Sequence, residues 1–101
     1  MTRDEIIIRI RDNADTVKAR GVHHLALFGS RMRGDHRPDS DLDVLVDIDP
    51  ARKTFSLIDL AAVCNLLEDL TGIETCAIER PMLERRPDFA RRIADDVVEV
   101  F

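Results

Sequence analysis

Aromatic side chains are scarce in this chain: four Phe, no Tyr and no Trp among 101 residues. Proteins that hold single-stranded nucleic acids stack the bases on aromatic faces, so that class of function is disfavoured. A basic excess is missing too. The formal net charge is −5, and such a field opposes a long polyanion while leaving room for small anions that bring their own metal cations. There is no apolar run of about 18 residues to cross a membrane. The opening Met1-Thr2-Arg3-Asp4-Glu5 carries acids and does not read as a signal peptide. Cys64 and Cys76 are the only cysteines. A disulfide framework needs more of them at tighter spacing, so a reducing cytoplasm is expected. His23, His24 and His36 lack zinc-site spacing.

What is present reads as one domain spanning residues 1–101, without repeats or linkers. Residues 2 to 20 form an amphipathic helical pattern, with Ile6, Ile7, Ile10, Ala14 and Val17 at helical intervals. Thr2 and Glu5 have capping-box spacing, and Gly21 stops the helix. Val22 to Phe28 suits a buried strand. Asp41 to Ile48 alternates strictly, with Leu42, Val44, Val46 and Ile48 on one face and Asp41, Asp43, Leu45 and Asp47 on the other. Thr54 is the expected cap of a second long helix, whose apolar stripe runs through Leu57, Leu60, Cys64, Leu67 and Leu70, widened by Ile58 and Ala61. Gly72 ends it. Ile73 to Ile78 is the third expected strand, Pro81 opens an interrupted helical region, and Val97 to Phe101 is an apolar tail. The expectation is a small mixed α/β (α+β) sheet with helices packed mainly on one face.

The candidate chemistry lies between Gly29 and Asp43. Asp41 and Asp43 are two apart on a strand, so their carboxylates point the same way. Like charges side by side repel, and a divalent cation relieves the repulsion. Mg²⁺ is hard, prefers oxygen ligands and is commonly held by one or two carboxylates plus substrate phosphates. Gly29-Ser30 breaks the chain directly after a buried strand, where backbone N–H groups and a hydroxyl can cradle phosphate oxygens. Arg31, Arg33 and Arg37 lie between the two features. They could fork phosphate oxygens or form surface ion pairs.

Taken together, Leu27-Phe28-Gly29-Ser30-Arg31-Met32-Arg33-Gly34 followed by Ser40-Asp41-Leu42-Asp43-Val44-Leu45-Val46 resembles the nucleotidyltransferase superfamily related to DNA polymerase β. Within it the chain is most similar to the minimal nucleotidyltransferases, small antitoxin partners of HEPN-type toxins. The resemblance covers nearly the whole chain. It implies the nucleotidyltransferase fold, and a triphosphate held at Gly29 and Ser30 with Arg31, Arg33 and Ser40 nearby. It further implies two Mg²⁺ ions on Asp41 and Asp43, and transfer of AMP from ATP, or of another nucleotide, to a hydroxyl of the partner toxin. At this length there is no separate domain for a nucleic acid primer. Homo- or hetero-oligomers are compatible with the apolar tail and the small size.

One position departs from that pattern. The family places a third Asp on the next strand, and counting from Gly72 that place holds Cys76. Sulfur is a poor ligand for Mg²⁺ and a weak substitute for a carboxylate that receives a proton. Glu74 has the same strand parity and a longer reach. Cys76 itself reads most simply as a small buried hydrophobe. Three functions stay open: a working transferase, an antitoxin that acts by binding its partner, or a regulatory nucleotide sensor without transfer.

Overall fold

The computed structural model describes all 101 residues, Met1–Phe101. Two short helices open the chain, α1 at Arg3–Asp12 and α2 at Ala14–Ala19. Thr2 caps α1 in the expected capping box with Glu5. The expected single helix is broken at Asn13. The Asn13 side chain turns back to donate to the Arg9 carbonyl, 2.8 Å away, which is how Asn competes with a continuing helix.

Strand β1, Val22–Phe28, pairs antiparallel with β2, Leu42–Ile48. Between them lies the four-residue helix α3, Ser30–Arg33. The long helix α4, Leu57–Thr71, returns the chain so that β3, Thr75–Glu79, pairs parallel to β2. A 3₁₀ segment at Arg80–Arg85 and helix α5, Pro87–Ile93, follow. The tail adds what the sequence pattern did not reveal, a two-residue strand β4, Val98–Glu99, antiparallel to β1. The sheet order is β3-β2-β1-β4.

Alternation along the strands sets the two faces. Leu25, Leu27, Leu42, Val44 and Val46 point into the main core with Ile6, Ile10 and Val17 from the first helices and Val63 and Leu67 from α4. Ala26, Phe28 and Leu45 point the other way, under Ile93 and Phe89 of α5. The helices therefore lie mainly on one face, with α5 a smaller cover on the second.

Two details of α4 differ from the sequence pattern. Its cap is Ser56, not Thr54, in a capping box with Asp59. Its stripe begins outside the core: Leu57 is 83% and Ile58 81% exposed, because the first turn has no partner in this chain. Further on, Glu68 accepts a hydrogen bond from the Thr75 amide at 3.1 Å. That covers part of the open edge of β3, which would otherwise invite strand pairing.

Candidate functional site

Gly29 sits in the left-handed half of backbone space, at φ +79°, where residues with a Cβ are strained. The reason for a glycine here is also steric. A Cβ at this position would run into the carboxylate of Asp43. Phe28 is the register partner of Asp43, so the strand pairing delivers that carboxylate to the bend that follows β1. Beyond the bend, the Met32 and Arg33 amides donate to the Gly29 carbonyl. The Ser30 and Arg31 amides open α3, with no preceding turn to accept them.

Asp43 is half-buried and Asp41, one residue before β2 begins, is exposed. Partial burial pushes the Asp43 carboxyl above the usual carboxylate range, the charge of Asp41 adds to it, and Arg33 partly offsets it. Two carboxylates close enough to repel, one of them set against the bend at Gly29, suit a hard divalent cation bridged to phosphate oxygens. None of the four surface depressions of the chain includes Ser30, Asp41 or Asp43, so the pair stands on an open surface.

The remaining candidates divide. Arg33 lies within reach of the site's field, and its guanidinium is fixed by Asp35 at 3.1 Å and Asp96 at 2.8 Å. Those two carboxylates raise its pKa further. Arg31 turns the other way. It is buried and donates to the carbonyls of Ser40 and Pro38. The Ser40 hydroxyl is engaged in a turn, accepting from the Arg37 amide at 2.8 Å. Glu74 precedes β3 rather than lying within it, is exposed, and accepts from the Leu42 amide through its backbone carbonyl. The structure thus assembles Gly29, Ser30, Arg33, Asp41 and Asp43, and sets Arg31, Ser40 and Glu74 around the neighbouring loop.

Cys76 corrects an expectation. It is exposed, not buried, because it is the register partner of Asp43 on the adjoining strand and shares its open face. Partial desolvation and then the charges of Asp43 and Asp41 push its thiol up. The thiol is therefore protonated at neutral pH. Asp47, also on this face, is spent in an ion pair with Arg80 at 3.0 Å.

The sequence reading missed Asp96. Only 13% of its side chain is exposed, and it ties Arg33 to the turn after α5. No short-range signal connects positions 63 residues apart, so only the fold reveals the pair.

A nucleotidyltransferase domain model matches residues 10–100. The chain is 31% identical over 80 residues to protein adenylyltransferase MntA of Thermococcus cleftensis, covering 79% of this chain and 76% of that protein. It is 30% identical over 79 residues to a candidate protein adenylyltransferase of Methanocaldococcus jannaschii, covering 78% and 76%. Among solved structures, a candidate minimal nucleotidyltransferase superposes with a TM-score of 0.71 at 27% identity, covering 97% of this chain and 95% of that one. A toxin–antitoxin structure with AMP-PNP superposes with a TM-score of 0.52 at 22% identity, covering 78% and 57%; at that identity the likeness is one of fold. With Gly29, Ser30, Asp41 and Asp43 gathered at one bend, the chain belongs to the nucleotidyltransferase domain family, in its minimal nucleotidyltransferase branch.

Proposed function

We propose that this chain is a Mg²⁺-dependent adenylyltransferase of the cytoplasm that moves AMP from ATP to a hydroxyl of a partner toxin of the HEPN type. The observation that carries this reading is the fit of the Asp43 carboxylate against the Cβ-less Gly29. It sets an acidic pair beside the Gly29-Ser30 bend. In this reading the Ser30 hydroxyl and the amides of the bend hold phosphate oxygens. Asp41 and Asp43 hold the metal, and Arg33 adds fixed positive charge. Bound divalent cations would supply charge neutralisation to the triphosphate and polarise its α-phosphorus. The acceptor oxygen bonds to that phosphorus, the bond to the β-phosphate oxygen breaks, pyrophosphate leaves, and the hydroxyl proton passes to solvent or a base. The open surface and the exposed Leu57 and Ile58 favour a macromolecular acceptor over a small enclosed one.

The test is incubation with labelled ATP, Mg²⁺ and the product of the adjacent gene. Label is expected on the partner, and none with Asp41→Ala or Asp43→Ala. A partner left unlabelled under all conditions sinks the reading.

Cys76 favours a second reading, an antitoxin that neutralises by binding alone, since a protonated thiol beside Asp43 cannot accept the hydroxyl's proton. In that case Asp43→Ala keeps full neutralisation of the toxin. Loss of neutralisation in this variant rules the second reading out.

A further inference from the structure

Arg31 is a buried charge with no counter-charge. The residue is 6% exposed, yet it belongs to none of the ion pairs of the chain. Nε donates to the Ser40 carbonyl at 3.0 Å and Nη2 to the Pro38 carbonyl at 3.4 Å. Two neutral carbonyls are meagre compensation for a desolvated guanidinium. Nη1 has no acceptor in the protein, and every side-chain nitrogen or oxygen that is shut away from solvent has a partner. Nη1 therefore faces an opening.

Two adjoining depressions flank the Arg31 side chain, between the loop after α3 and the junction of α4 with β3. The smaller, about 310 Å³, is edged by Asp39 and Glu74. The larger, about 530 Å³, contains no acid at all and adds His36 to Arg31. In a chain of net charge −5 this groove brings two nitrogen-donor side chains together, with Asp39 and Glu74 confined to the adjoining depression. It is also separate from the acidic pair, since neither Asp41 nor Asp43 lines it.

We propose that the larger groove is a second anion site, in which Arg31 Nη1 and the His36 ring bind an oxyanion of a small ligand, a phosphate or a carboxylate. A guanidinium already fixed by two of its nitrogens loses little freedom on binding, and its free edge gives a charge-assisted hydrogen bond. The site does not depend on the nucleotidyl-transfer reading, since neither of its donors takes part there.

The experiment is an NMR titration of the full isotope-labelled chain without divalent cations. Sodium phosphate and sodium acetate are added in separate arms, each against sodium chloride at matched ionic strength. Saturable shifts are expected at the Arg31 Nε–H, the His36 ring and the Gly72 and Ile73 amides, with phosphate alone or with both anions. The arms distinguish the two sources. Arg31→Lys keeps the charge but loses the fork, and should abolish the shifts. That residue also ties the loop, so the exposed His36→Ala serves as the second variant. It should leave the spectrum folded and weaken phosphate binding about fivefold, the worth of one hydrogen bond. Asp43→Ala should leave the groove shifts unchanged. The proposal is overturned by shifts identical to those with chloride, by shifts confined to Gly29 and Ser30, or by undiminished binding in His36→Ala and Arg31→Lys.

Discussion

The two faces of the sheet differ in what they bury. The face under α1, α2 and α4 closes over a cluster of fourteen buried residues, while the face under α5 closes over four and leaves its other end uncovered. Asp41, Asp43 and Cys76 stand at that uncovered end. The same β2 serves both faces: Leu42, Val44 and Val46 anchor the sheet, and the residues between them carry the chemistry. A strand fixed on one side by a dry core holds the groups on its other side without support of their own. That is how a chain of this size can present an acidic pair on an open surface without a deep pocket.

The sharpest way to break this division is at the uncovered end. Asp41→Ala should leave the melting temperature nearly unchanged, because the residue is exposed. It should lower AMP transfer about a thousandfold, on the order of 4 kcal/mol of transition-state stabilisation. Single-turnover transfer measured beside a thermal melt checks both. A large stability loss without a rate loss would show that the face is structural after all.

On the covered face the effect should invert. Leu67 is fully buried in the main core, and Leu67→Ala should cost about 3 kcal/mol of stability. Ile93 belongs to the four-residue cluster, and Ile93→Ala should cost about 2 kcal/mol, since a thinner layer relaxes more readily around the gap. Denaturant titrations of the two variants measure the difference, and equal costs would mean that α5 covers its face as tightly as α4 does.

Much of this architecture was legible beforehand. The alternation in Asp41–Ile48 assigned both faces of β2, and Gly29-Ser30 with Asp41 and Asp43 marked out residues that the fold brings to one bend. The illegible parts share a cause: they depend on partners far away in sequence. The apolar stripe of α4 could not show that Leu57 and Ile58 lack anything to pack on. Two arginines in one Arg-rich loop look alike, yet Asp96 draws Arg33 towards the site while the carbonyls of Ser40 and Pro38 draw Arg31 away. Cys76 read as a core residue because its exposure follows from pairing with Asp43, which only the sheet register decides.

The join between the two regions is Gly29, where the buried strand ends and the acidic pair begins. Gly29→Ala should cost about 2 kcal/mol, through a side chain forced to positive φ and a Cβ pressed on the Asp43 carboxylate. Its second consequence is more telling. A displaced Asp43 should weaken Mg²⁺–ATP binding in calorimetry by more than the lost stability accounts for. Intact binding would mean that the close approach is incidental.

The smallest effect tests whether the acidic pair carries a real electrostatic cost. Asp43 has a raised carboxyl pKa in the folded chain, through partial burial and the neighbouring charge of Asp41. A carboxyl whose pKa is higher folded than unfolded binds its proton more tightly in the native state, so its ionisation destabilises the fold. That cost is fully present only above the raised value. It shrinks as pH falls through the raised value, and is gone below the unfolded value of about 3.9. Asp43→Asn, which removes the charge and keeps the shape, should therefore melt slightly higher than the parent at neutral pH without metal. The gap should close on acidification. It should also close when Mg²⁺ is added at neutral pH, because the cation raises the melting temperature of the parent and not that of the variant. Parallel melts of the two proteins across this pH range, with and without Mg²⁺, measure the effect. A variant that melts lower than its parent at neutral pH would mean that the Asp43 carboxylate is held by favourable contacts rather than strained by its neighbours.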